Sequence, residues 1–178
     1  MVAAGCAAPR TPSDWVGVRE VTPGFLLRLE ATDAALAADD HGRVALTYVT
    51  RDSTGKNLWL ALSRDSGLTF APPVRVNPRA GTVSSYSENR PQPVFGPAGR
   101  LAIAWTERCA DSTRAFDLVV SASGDGGASL SAPAIVNDDR AIDLHAWRRS
   151  HAWSVPNPRA YHGFPALTFL ADGTLFAT

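Results

Sequence analysis

Ser63-Arg64-Asp65-Ser66-Gly67-Leu68-Thr69-Phe70 recurs as Ser123-Gly124-Asp125-Gly126-Gly127-Ala128-Ser129-Leu130, at a constant offset of 60 residues. The match begins upstream, where Leu58 to Leu62 faces Leu118 to Ala122, and continues to Pro73, Val76 and Asn77 against Pro133, Val136 and Asn137. Ala38 to Tyr48, with its Gly42-Arg43, pairs with Phe95 to Trp105, with its Gly99-Arg100, at an offset of 57. The small difference in offset falls in the loop between. A third copy starts at Phe164-Pro165-Ala166-Leu167 and runs through Asp172-Gly173-Thr174-Leu175-Phe176. Self-similarity of this kind marks stacked repeats.

Each unit is punctuated alike: an apolar run, an Asp/Gly turn, a second run, a variable loop, a third run, and then the Ser-x-Asp-x-Gly turn. This reads as four antiparallel strands joined by hairpins. Apolar alternation within Leu58 to Leu62 and Leu101 to Trp105 is weak, as in strands covered on both faces. One such sheet cannot bury both its faces alone, so copies must stack. The expected fold is all-β, a β-propeller fragment of four-stranded antiparallel blades. The expected organisation is an N-terminal tail and lead-in strand at 1-30, one blade at 31-79, and a second at 88-139. An inter-blade insertion at 140-163 and the start of a third blade at 164-178 complete it.

Composition narrows the function. With Lys+Arg 17 against Asp+Glu 17 the chain has no net charge, which argues against a nucleic-acid partner or a polybasic membrane-surface role. The only lysine is Lys56, among arginines, and it receives no functional weight at this point. No apolar run reaches the ~18 to 20 residues of a membrane-spanning helix. Gly 14 and Pro 13, spread through the chain, keep helical periodicity short.

The two octets match the Asp-box, Ser-x-Asp-x-Gly-x-Thr-Trp/Phe, so the chain resembles the sialidase-like (BNR/Asp-box repeat) β-propeller superfamily. Ser63, Asp65, Gly67, Thr69 and Phe70 form a complete box; Ser123, Asp125, Gly127 and Ser129 form a second, with Leu130 in the aromatic place. The aspartates suit hydrogen bonding to turn N–H groups, the glycines suit positive φ, and Phe70 or Leu130 suits plugging the sheet stack. That role is structural. Asp65 with Asp52, or Asp125 with Asp138 and Asp139, lacks the His/Cys/Asp/Glu spacing of a metal site, so no metal and no cofactor is expected. The resemblance implies a complete ring of about six blades.

It also implies a test for a catalytic site. The family's Arg-Ile-Pro motif supplies one of three arginines that pair bidentately with a sugar carboxylate. Here the aligned proline is Pro91, the arginine slot holds Asn89, and Arg90 is one place off, on the opposite face of a strand. Thr32 and Gly163 fill the slot in the other copies. Glu107-Arg108 followed by Asp111 matches a second family arginine and the acid/base aspartate, so Arg90, Arg108 and Asp111 are the candidate catalytic residues. Arg51 and Asp52 in similar slots of the first copy suggest a repeated structural ion pair. Tyr86, Tyr161 and His162 fall in inter-blade loops, and His145, Trp147, Arg148, Arg149, His151 and Trp153 form the densest aromatic and basic cluster.

Small residues before Cys6, followed by Pro9 to Ser13, resemble the end of a bacterial lipoprotein signal, without the charged and apolar leader in front of it. This implies lipidation at Cys6 and an extracytoplasmic place, periplasmic or at the cell surface, with the membrane reached only through that anchor. The partner is then a carbohydrate, a sialylated glycan, or a protein ligand. Two functions stand: exo-sialidase-type hydrolysis of terminal sialic acid, with this chain inactive alone, or a non-catalytic propeller binding glycan or protein. No Ser-His-Asp elbow, phosphate loop or dinucleotide fingerprint is present.

Overall fold

The computed structural model describes residues 23–25, 30–109, 115–137 and 162–178. Cys6, Asp111, Asp138, Asp139, Tyr161 and the 145–153 aromatic cluster lie outside the described residues. Those described form antiparallel sheets, with a single 3-10 turn at Pro97–Gly99 as the helical element among them. The first sheet has the order β1-β2-β3-β4, from β1 (Thr32–Ala38), β2 (Val44–Asp52), β3 (Gly55–Ser63) and β4 (Val74–Arg75). The second contains β5 (Val83–Ser84), β6 (Gln92–Phe95), β7 (Leu101–Arg108), β8 (Phe116–Ser123) and β9 (Ala134–Ile135). There β5 and β6 both pair with β7, followed by β8 and β9. The third is the hairpin of β10 (Leu167–Phe169) and β11 (Leu175–Ala177). The described residues do not close into a barrel or a ring.

The weak alternation read from the sequence has a direct cause. Side chains along a strand point to opposite faces. Leu101, Ile103 and Trp105 of β7 and Val119 of β8 pack in one cluster with Ala45, Val49, Leu58 and Leu60 of the first sheet. Their neighbours Ala102, Ala104, Leu118 and Val120 point the other way and meet Val94, Leu167, Phe169, Leu175 and Ala177. The second sheet is therefore sandwiched between the other two. Along the stack β1 lies against β6, and β6 against β10.

The second sheet includes Val83–Ser84, which pair with Glu107 and Thr106, and Tyr86 and Asn89 exchange two backbone hydrogen bonds that close a loop before the chain resumes pairing at Gln92. The edge of β7 is thus shared by β5 and β6, which run in the same direction with a tight turn between them. The Arg51 and Asp52 expectation changes. Asp52 accepts hydrogen bonds from the Thr54 N–H (2.8 Å) and hydroxyl (2.5 Å) and from Asn57 Nδ2 (3.0 Å), closing the β2–β3 turn. Its partners are turn and β3 groups, and no Arg51–Asp52 ion pair is found among the described residues.

Both octets adopt the same hydrogen-bonded turn. The Ser63 hydroxyl donates to Asp65 (2.7 Å) and accepts from the Gly67 N–H (2.9 Å). Asp65 then accepts from the Thr69 N–H (2.9 Å) and hydroxyl (2.6 Å). In the second copy Ser123, Asp125, Gly127 and Ser129 repeat all four contacts, at 2.6, 2.7, 2.9 and 2.6 Å respectively. The aromatic places differ. Leu130 packs on the cluster between the first two sheets, whereas Phe70 meets Phe25 edge-on, and Phe25 stacks on Tyr48.

A second repeated contact ties one unit to the next. Arg43, held by Asp39 (2.5 Å), lies over the Phe95 ring and donates to the Gly99 carbonyl (3.4 Å) of the following hairpin. Arg100 donates likewise to the Gly173 carbonyl (2.9 Å). Asparagine clamps repeat too: the buried Asn77 Oδ1 accepts the Leu58 N–H (2.8 Å), and the half-buried Asn137 Oδ1 accepts the Leu118 N–H (2.9 Å).

The two box glycines give a paired prediction. Both have positive φ, 82° at Gly67 and 92° at Gly127, so alanine is strained at either. A Cβ on Gly67 meets only Val44 at 3.8 Å, but on Gly127 it falls 2.7 Å from Leu62 and 3.0 Å from Leu101. Gly127→Ala should lower the urea midpoint clearly more than Gly67→Ala; equal losses would mean that the inter-sheet approach at Gly127 is slack.

The carboxylates give a pH prediction. Hydrogen bonds from Thr69, then Ser63, hold Asp65 down at about 2, and those from Ser123 and Ser129 hold Asp125 well below the usual carboxylate range. Because the folded-state values lie below the unfolded value of about 3.9, this stabilisation is complete above about pH 4. It is lost as pH falls toward 2. The thermal midpoint should drop across that window, and Asp65→Asn should flatten the drop; an identical acid profile would contradict the assignment.

Candidate ligand-binding face

The strands run between two ends. One carries the hairpins at 39–43, 96–100 and 170–174 together with both Asp-box turns. The opposite end carries the approaches to β1, β6 and β10, the β2–β3 turn and the end of β7, and here polar and charged side chains are drawn into the stack.

Three elements meet at Ser85. Its hydroxyl donates to Asp33 Oδ2 (2.7 Å), and the Lys56 ammonium donates to the Ser85 carbonyl, approaches its hydroxyl at 3.3 Å and Asp33 at 3.4 Å. Asp33 comes from the bulged start of β1, Lys56 from β3, and Ser85 from the end of β5. The lone lysine is therefore a cross-link between the first two sheets. Its compact ammonium, with three donors, can serve three oxygens from two other elements at once.

Asn89 makes the corresponding link to the third sheet. It is 1% exposed, and its Oδ1 accepts from the Thr106 hydroxyl (3.1 Å) and from the Phe164 N–H (2.8 Å). The slot in which the resemblance expects an arginine is thus occupied by a short, buried connector. A guanidinium there would need room that Thr106 and Phe164 take up. Arg90 is exposed, and so is Arg108 at the end of β7. Asp111 lies outside the described residues.

Acidic groups unused by that candidate set lie deeper. Glu107 of β7 and Asp117 of β8 are cross-strand partners, both buried. Arg79 binds Glu107 at 3.0 Å, and Asn137 Nδ2 donates to Asp117 Oδ1 (3.1 Å). Arg79, Glu107 and Asp117 line a cleft of about 310 Å3 with Pro78, Val119, Pro133 and Ile135. Asp117 occupies the place that Asn57 holds one unit earlier, where Asn57 Oδ1 accepts from Asn77 (3.3 Å) and from the Gly81 N–H (2.9 Å). The offset of 60 that links Asn77 to Asn137 also links Asn57 to Asp117, and that register was the available signal for this node.

On the hairpin end Asp39, Asp40 and His41 cluster, with Asp39 engaged by Arg43. The Asp-box carboxylates take their hydrogen bonds from within their own turns.

No protein-family model matches the sequence, and no curated protein matches it. Among solved structures, a crystal structure of a candidate glycoside hydrolase from Parabacteroides distasonis ATCC 8503 is similar at 18% identity and a TM-score of 0.36. The similarity covers 60% of this chain and 32% of that one, so the chain spans about a third of that protein's length.

The roles of residues 89 and 90 are separable by stability. Asn89→Ala strands the Thr106 hydroxyl and the Phe164 N–H and should cost about 1 to 3 kcal/mol. Arg90→Ala should stay within about 0.5 kcal/mol, as an exposed substitution does. A larger loss at Arg90 in chemical denaturation would reverse these assignments.

Proposed function

We propose that this chain is a glycan-directed part of a sialidase-like β-propeller. The observation that carries the reading is the repeated turn: two Asp-box sequences with the same four side-chain hydrogen bonds, at the same hairpin of successive antiparallel sheets. Face-to-face packing of three sheets, with β1, β6 and β10 side by side, supports a radial arrangement around an axis. In that arrangement the end bearing Asp33, Asn89 and Phe164 lies where the innermost strands begin, and loops from several blades would converge there on a ligand.

Hydrolysis of a terminal sialic acid is the first form of the proposal, with Arg90, Arg108 and Asp111 as its candidate residues in this chain. Binding without hydrolysis is the second, and a specific observation favours it: Asn89 fills the arginine slot and is consumed by packing contacts. Stabilising an oxocarbenium-like transition state needs several groups held together around the sugar. The described residues supply no such set.

The deciding experiment incubates the purified chain with a fluorogenic sialoside and, separately, passes it over immobilised sialylated glycans. Retention without fluorophore release is expected. Release that disappears in Asp111→Ala would establish hydrolysis by this chain itself, and absence of retention would remove the binding form.

A further inference from the structure

Backbone strain gathers at one end of the sheets. Of the five non-glycine residues with positive φ among those described, Ser66 and Ala98 belong to hairpin-end turns. The other three, Asp33 (53°), Ser87 (33°) and Phe164 (61°), all lie at the end where the first strands begin. For a bulky residue such as phenylalanine this conformation is an outlier, and it persists only where the surroundings over-determine it.

The over-determining group is Asn89. Its backbone closes the tight turn with Tyr86, through Asn89 N–H to Tyr86 O (2.6 Å) and Tyr86 N–H to Asn89 O (3.2 Å). Its side-chain oxygen takes the Phe164 N–H at 2.8 Å. One buried asparagine therefore fixes two aromatic residues brought from different sheets. Their rings stand 6.3 Å apart at 83° to each other, and the residues are 43% and 53% exposed. The backbone of both is fixed, and a large part of each residue's surface faces solvent.

We propose that Tyr86 and Phe164 form a stacking corner for a neutral pyranose ring. A sugar is amphipathic: its axial C–H face can lie on one aromatic ring while its edge abuts the other. Glu88 and Arg90, both exposed and one residue to either side of Asn89, bring an acceptor and a forked donor suited to ring hydroxyls. Their opposite charges cancel, which matches an uncharged ring better than one bearing a carboxylate. Among the described residues the patch is two rings wide with Glu88 and Arg90 beside it, a size that fits one sugar residue. Because the corner is already fixed by Asn89, little ordering is required on binding. The inference does not depend on a closed propeller or on sialic acid as the ligand.

The test uses the full chain in saturation-transfer NMR with lactose, cellotetraose, maltotetraose and 3′-sialyllactose as separate probes. At least one neutral sugar should show transfer to its ring C–H protons. Its Kd should rise at least about five-fold in Tyr86→Ala and in Phe164→Gly, the loss of one aromatic contact. Phe164→Gly also relieves the positive φ, so its thermal midpoint should hold and binding loss cannot be assigned to unfolding. Absence of binding by every neutral sugar, or binding that both variants leave unchanged, would overturn the corner. Sialyllactose bound more than about five-fold tighter than lactose would overturn its neutral character, and would leave the glycan reading of the preceding section standing.

Discussion

A strand whose two faces are both dry has no side chain to spare for water, and β7 and β8 are such strands. Every second residue, Leu101, Ile103 and Trp105, belongs to one interface, and every residue between them, Ala102 and Ala104, to the other. A slip of one place in register would exchange the two sets and put Trp105 where alanines now allow the third sheet to approach. The Asp-box turn at the far end of β8, the Arg43 and Arg100 contacts, and the asparagine clamps all act on this register. They fix where the strands stop, so that large residues face one neighbour and small ones the other.

The sequence made the sheets legible because repetition is a property of order along the chain. Two octets at one offset, with Gly42-Arg43 and Gly99-Arg100 at another, identify equivalent turns before any coordinate is known. What repetition cannot show is contact between units. Lys56 meets Asp33 and Ser85 from three elements, and nothing about its neighbours in sequence signals that meeting. Asn89 is similar. Its alignment with a family arginine exposed a departure, but its use as a connector depends on Thr106 and on Phe164, 75 residues away. Arg51 and Asp52 illustrate the reverse hazard: a charge pair adjacent in sequence, where the local turn claimed the carboxylate first.

The polar end of the stack combines rigidity with exposure. Asp33, Ser85 and Asn89 are inward-facing anchors, while Arg90, Arg108 and the Tyr86 and Phe164 rings look outward from backbone that the anchors hold. Sites built this way need few mobile parts, since the scaffold has already absorbed the cost of ordering them. The hairpin end differs, for there the carboxylates of both boxes are satisfied within their own turns.

The contact from Arg43 to Gly99, repeated from Arg100 to Gly173, has a direction: each unit reaches forward and none reaches back. Contacts of this head-to-tail kind are heterologous, joining two different surfaces, and they do not terminate themselves. A set of units joined so either turns through a full circle and meets its own beginning, or continues as a filament. Threonine, at Thr174, follows the third hairpin glycine where arginine follows the first two, and threonine is too short to reach across to another hairpin. The arginine link thus joins the first hairpin to the second and the second to the third, and the third hairpin carries threonine in that place.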